Sequence, residues 1–118
     1  MAAPNLKNIS SVYAKTARLN ITTSATAILE NQSSSNKMLK ISSLLVANVG
    51  SAAATYTLDF FRSSTATRIV KDLSVSVGGT SVAISRDTTI YLEEGDSLRL
   101  TASANSTLEA ICSYDEVT

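Results

Sequence analysis

The 118-residue sequence contains no histidine and no tryptophan, and only one cysteine and one proline. Without histidine there is no Ser-His-Asp or Cys-His arrangement, no imidazole metal ligand and no side chain whose ordinary pKa lies near neutrality. A zinc site draws several ligands from Cys and His, and Cys112 stands alone. A single thiol also provides no disulfide framework of the kind usual in small secreted scaffolds, and it fits a reducing compartment. Ten Lys plus Arg balance ten Asp plus Glu. Proteins that grip nucleic acid by its phosphates carry clustered cations instead. The opening residues Met1-Ala2-Ala3-Pro4-Asn5-Leu6 form neither a basic region nor a continuous apolar segment, and no run approaches the roughly 20 apolar residues that span a bilayer. These absences predict a protein made in a cytosol that binds neither nucleic acid nor membrane and uses no metal or other cofactor.

What is abundant is hydroxyl and aliphatic carbon. Ser and Thr make 33 of the 118 residues, the apolar fraction is 44% and charge is only 17%, a balance that folds. From Lys37 onward the apolar residues recur with period two, the spacing at which side chains alternate across a sheet. In the run from Leu39 to Val49 the odd positions Leu39, Ile41, Leu45, Ala47 and Val49 form a core face. Leu44 and Val46 fall on the opposite face, where another layer or another subunit is expected to cover them. Tyr56, Leu58 and Phe60 alternate with Thr55, Thr57 and Asp59, and Phe61 breaks the pattern. Further runs carry Ile69, Leu73, Val75 and Val77, then Val82 and Ile84, Ile90 and Leu92, Leu98, Leu100 and Ala102, and finally Leu108, Ala110, Cys112 and Tyr114. Gly78-Gly79, Glu93-Glu94-Gly95-Asp96 and Asn105-Ser106-Thr107 supply turns between them.

Short strands at intervals of roughly 8–12 residues, without a 3.6-residue apolar stripe, predict an all-β fold: an antiparallel β-sandwich, jelly-roll-like in connection. The Ser and Thr load then occupies outward positions. Residues 1–17 read as an extended N-terminal arm and 18–118 as a single sandwich domain, with Arg18–Thr23 and Thr26–Glu30 as two further strands. The spacing from Val12 to Ala17 also admits a helical turn.

Chemistry-bearing residues are few. Glu93, Glu94 and Asp96 make the densest carboxylate group, but three acids on one hairpin lack the spaced oxygen ligands of a calcium loop, and a solvated turn is expected. Cys112 is in phase with core residues and has no base to activate it. Asp59, Asp72 and Glu109 could pair as hydrolytic acids only by converging across a cleft, and their positions on polar faces predict ordinary solvated charges. Asn8, Asn20, Asn31 and Asn105 each head an Asn-x-Ser/Thr triplet, a frequent chance match in so hydroxyl-rich a chain. No catalytic residue emerges. Apolar residues on nominally outward positions predict an assembly interface instead: Pro4, Leu6, Ile9, Val12 and Tyr13 from the arm, with Leu44, Val46 and Phe61 from the domain.

The opening Met1-Ala2-Ala3-Pro4-Asn5-Leu6, the run Leu39 to Val49, and the segment Ile90 to Ala104 closing in Cys112-Ser113-Tyr114-Asp115-Glu116 resemble small virion structural proteins of tailed bacteriophages, particularly those of marine cyanobacteria. The resemblance covers nearly the whole chain and rests on strand and turn motifs, so it transfers no catalytic residue. It departs at Val77-Gly78-Gly79, where related sequences often carry a proline. What it implies is a non-enzymatic virion part present in many copies: a capsid decoration or cement protein contacting the major capsid protein or other virion proteins, and forming a homo-oligomer. A head-to-tail connector, a tail component or a receptor- or glycan-binding module on the virion surface belongs to the same class of expectation.

Overall fold

The computed structural model describes residues 4–118, so Met1 to Ala3 of the expected arm lie outside the described residues. Among the described residues nine strands follow one another: β1 (Val12–Asn20), β2 (Thr26–Glu30), β3 (Met38–Asn48), β4 (Ala54–Arg62), β5 (Thr65–Val75), β6 (Thr80–Ile84), β7 (Ile90–Leu92), β8 (Ser97–Ala102) and β9 (Leu108–Val117). A single 3-10 turn, Arg86–Thr88, separates β6 from β7. No helix among the described residues is long and apolar enough to cross a membrane.

The strands form two antiparallel sheets packed face to face. The first has the order β1-β9-β3-β6, with β7 continuing the β6 side of β3, and the second has the order β2-β8-β4-β5. Non-consecutive neighbours and a chain that passes repeatedly between the layers give the double Greek-key winding of a jelly roll, as the alternation predicts. The core lies between the sheets and is almost wholly aliphatic, with Ile41, Leu44, Val46, Leu58, Ile84, Leu92, Leu98, Leu100 and Cys112 buried around Tyr56. The Tyr56 hydroxyl reaches across to Ser81 Oγ at 2.8 Å. Burial raises the Tyr56 pKa, and the Ser81 bond offsets part of that rise.

Two buried asparagines close the ends. Asn31, at the end of β2, donates from Nδ2 to the carbonyls of Lys37 (2.9 Å) and Leu92 (3.0 Å), while its Oδ1 accepts from Ser35 Oγ (2.5 Å). Asn48, the last residue of β3, donates to the carbonyls of Ala52 and Val75, both at 2.9 Å, and accepts from the Gly50 N–H at 2.9 Å. Each side chain thus satisfies backbone groups of a connecting loop together with the carbonyl at the end of a neighbouring strand, Leu92 of β7 or Val75 of β5. At the Gly78 turn (φ 75°) the Gly79 N–H bonds the Ser76 carbonyl at 2.9 Å, so Val77-Gly78 closes the hairpin without a proline.

Two sequence expectations change. The segment Val12 to Ala17 is neither arm nor helical turn: it is the first part of β1, paired with β9 from Val12–Val117 to Asn20–Glu109. The sandwich therefore begins at Val12. Ahead of it the chain does not run out extended but turns at Asn5–Asn8 and is tied to the other end of the chain, with Ser10 N–H on the Thr118 carbonyl and Thr118 N–H on the Ser11 carbonyl.

The second change is the phase of β3. Its register against β9 slips between Ile41 and Ser43, leaving Ser42 as an extra residue. Such a bulge inverts every later side chain. Leu39 and Ile41 face the core, but past the bulge Leu44, Val46 and Asn48 do so, and Leu45 turns outward. Leu44 and Val46 need no second layer or subunit because the other sheet covers them. A matching slip between β3 and β6 sets Ile84 inward and Val82 outward, although the two are only two residues apart. In β5, similarly, register breaks against β4 and a left-handed Asp72 (φ 48°) expose Leu73, Lys71 and Asp72 and leave Ile69 and Val70 half-buried.

Candidate interaction face

Because directly opposed residues in a sheet share a face, the registers define rows. On the inner side of the first sheet one row reads Ala17, Cys112, Leu44, Ile84. One step along, on the outer side, the row reads Arg18, Ile111, Leu45, Val82. The outer row is the unusual one. Leu45, Ile111 and Val82 are adjacent on three neighbouring strands and are 37%, 51% and 61% exposed. The next outer row, Asn20, Glu109, Ala47, Thr80, adds small and polar side chains, and these two rows, Val82 apart, line a shallow depression.

The same face continues toward the chain ends. Leu6 and Ile9, from the segment ahead of β1, stand with Val12, Tyr91 and Val117 around a second depression bordered by Lys40 and Asp115. Seven of the exposed large hydrophobic residues, Leu6, Ile9, Val12, Leu45, Val82, Tyr91 and Ile111, therefore belong to one side of the molecule. Burying such a surface against a partner is favourable by roughly 25 cal/mol per Å² of apolar area. Arg18 and Glu109 at one end, and Lys40 and Asp115 at the other, give each end of the face one charge of either sign.

The predicted interface residues do not form a single surface. Leu6, Ile9 and Val12 lie on this face. Tyr13 points to the opposite side of β1, since it shares a row with Glu116 and Leu39. Pro4 is half-buried ahead of the Asn5–Asn8 turn. Leu44 and Val46 are inaccessible between the sheets. Phe61 stands on the outer side of the second sheet, half-buried, with the Arg99 guanidinium 3.8 Å above its ring, so its face is already occupied. Unbroken alternation places Leu45 on the core face and Val82 on the same side as Ile84; for β3 the signal that corrects it is the spacing Ile41, Leu44, Val46, with two serines where one would keep phase. Tyr13 and Tyr91 occupy opposite sides of the first sheet and do not make one aromatic platform.

The carboxylates are engaged elsewhere. Asp96 is 1% exposed instead of solvated, and it receives Arg62 Nε on Oδ1 (2.7 Å), Arg62 Nη2 on Oδ2 (2.6 Å) and the Glu93 N–H on Oδ2 (2.8 Å). Arg62 also reaches Glu93 at 2.6 Å. These bonds raise the Arg62 pKa further above its already high ordinary value. Asp59, expected in solvent, is buried between Arg68 (3.1 Å) and Arg99 (3.7 Å) on the outer side of the second sheet. Its Oδ1 and the Arg99 Nε have no hydrogen-bond partner, so charge rather than directed bonding holds this group. Glu109 is on the opposite side of the molecule from Asp59, and no hydrolytic pair forms. Among the described residues no group of three or more His, Cys, Asp or Glu is placed to hold a metal ion.

Cys112 is fully buried, and burial pushes its thiol up to about 12. At the far end of β9, Glu116 accepts hydrogen bonds or ion pairs from Lys15 (3.0 Å) and Lys37 (3.1 Å), which hold its carboxyl below the usual range. Comparison with protein-family models and with curated proteins gives no match to this chain.

Proposed function

We propose that the protein is a non-enzymatic structural component of a bacteriophage virion, a decoration or cement protein that docks on the head lattice in many copies through the outer face of its first sheet. The observation that carries this reading is the exposed row Leu45, Ile111 and Val82, continued by Leu6, Ile9, Val12 and Tyr91. A solvated sheet face would place polar side chains there. The fold is compatible, because jelly rolls recur in viral capsid domains, but they recur in lectins and cupins too, so the argument rests on the face and on the sequence resemblance. Tying of the carboxylates to Arg62, Arg68 and Arg99 favours a structural over a hydrolytic use. Mechanistically, a rigid sandwich would present preformed apolar area to the lattice, and weak contacts repeated over symmetric copies would add through multivalency.

The test is a reconstruction of virions containing this chain, paired with co-sedimentation of the purified protein with heads that lack it. The expected result is density for the jelly roll in symmetry-related positions with the first sheet toward the lattice. A Leu45→Glu/Ile111→Glu variant should fold normally and lose particle binding by roughly tenfold or more, since it buries two charges against an apolar partner. Absence of the protein from virions, or undiminished binding by the variant, overturns the reading.

A further inference from the structure

Two sheets leave four edges, and an unpaired edge strand is a template for another chain. Three of the four are guarded. β5 is broken twice against β4, with Asp72 in the left-handed region. β2 is five residues long and bulged between Ala27 and Leu29. The β6–β7 edge is interrupted by the 3-10 turn and a register slip. β1 differs from all of these. It is nine residues long, contains no proline, runs in unbroken register along β9, and has no strand on its other side among the described residues. The segment ahead of it does not shield that edge, because Leu6 and Ile9 lie over the outer face beside Tyr91 and Val117.

We propose that this edge pairs with β1 of a second copy, antiparallel, about a two-fold axis at Thr16, joining the two first sheets into one continuous sheet. In this register Val12 faces the partner's Asn20, Ala14 the partner's Arg18, Lys15 the partner's Ala17, and Thr16 its own equivalent. All nine residues pair, and outer side chains stay outer. Registers centred on Lys15 or on Arg18 would set like charges directly opposite one another, which is destabilising. The chosen register does more than avoid a clash. Arg18 and Asp115 are both on the outer face, and neither has an ion-pair partner among the described residues; Arg18 reaches only Asn20 Oδ1, at 3.3 Å. Asp115 lies beside Ala14 in the row Ala14, Asp115, Lys40. Across the two-fold, Arg18 passes over the small partner Ala14 to the partner's Asp115, two strands or roughly 10 Å away between Cα atoms, within reach of an arginine side chain. The symmetry makes this pair twice.

The inference deepens the assembly reading and rests on it only for the presence of many copies together. The test is sedimentation equilibrium of the full chain, with a melting curve for each variant to verify folding. The wild type should dimerise reversibly. Arg18→Asp and Asp115→Arg should each raise the dimer dissociation constant by roughly tenfold, because two symmetric pairs become repulsive. The double reversal should restore it. Thr16→Cys should cross-link to itself on oxidation, since directly opposed Cα atoms lie roughly 4.5–5.5 Å apart, and Asn20→Cys should not. A chain that stays monomeric, a dimer indifferent to both reversals, or cross-linking at Asn20 in place of Thr16 overturns the proposal. Particle binding by a monomer would leave the docking face standing and remove only the edge; a dimer that fails to bind particles would do the reverse.

Discussion

Arg62 closes on Asp96 with two parallel hydrogen bonds, Nε to Oδ1 and Nη2 to Oδ2, so that the last residue of β4 clamps the turn leading into β8. The carboxylate is buried while the guanidinium remains half-exposed. Removing the cation therefore strands an anion away from water. Arg62→Met should lower stability by about 2–3 kcal/mol, the range for lost hydrogen bonds to a charged group. Urea unfolding at neutral pH measures it, and Arg62→Lys, which offers a point charge without the fork, should recover only part.

Leu44 and Leu45 are adjacent in sequence and opposite in consequence. Leu44→Ala opens a cavity between the sheets and should cost about 2–5 kcal/mol. Leu45→Ser removes an outward side chain and should change stability by less than about 0.5 kcal/mol. Equal effects in denaturant titrations would contradict the bulge at Ser42.

Asn48 satisfies two carbonyls and one N–H where the β3–β4 connection meets the end of β5. Asn48→Ala leaves these groups with water as their only alternative in a buried position. A loss of about 2–4 kcal/mol is expected, with the first regions to gain hydrogen exchange being the Gly50–Ala53 connection and the end of β5.

Glu116 makes stability depend on pH. Lys15 first and Lys37 second hold its carboxyl below the ordinary 4.5. A depressed folded-state pKa stabilises the fold above the unfolded value, and the increment vanishes as pH falls through the folded value. Urea midpoints should therefore drop on acidification from neutrality past pH 4.5, and Glu116→Gln should flatten that part of the profile. Lys15 reports the same pair from the alkaline side: its raised pKa implies stability present below 10.5 and lost as pH climbs through the folded value.

Cys112 should resist thiol reagents at pH 8 in the folded protein, since burial leaves almost no thiolate there. Its modification should follow the rate of unfolding. Fast labelling of the native state would show that the core opens between the sheets.

Alternation located most strands and the jelly-roll class because side-chain period is a local property of each run. Phase is not local. Ser42 became an extra residue only through β3 pairing with β9, and this one slip moved Leu44 and Val46 from an expected interface into the core and Leu45 the other way. The ionic groups were equally hidden. Arg62 and Asp96, or Asp59 with Arg68 and Arg99, meet because strands distant in sequence are neighbours, and no spacing within the chain announces it. The Val12–Ala17 part of β1 escapes the pattern for a related reason, only Arg18–Asn20 falling in an expected strand: its apolar residues are few, and its order comes from β9 and not from a strong pattern of its own.

The meeting of Ser11 with Thr118 has a mechanical corollary. β1 and β9 are antiparallel and their outer ends lie together, so tension applied between residues 11 and 118 would open the Val12–Val117 pair first and then each bond in turn. Such a ladder unzips at low force, whereas load carried across the sheets engages all bonds of a strand at once. An assembly that put this protein under load would have to grip it by its broad faces and leave residues 11 and 118 slack.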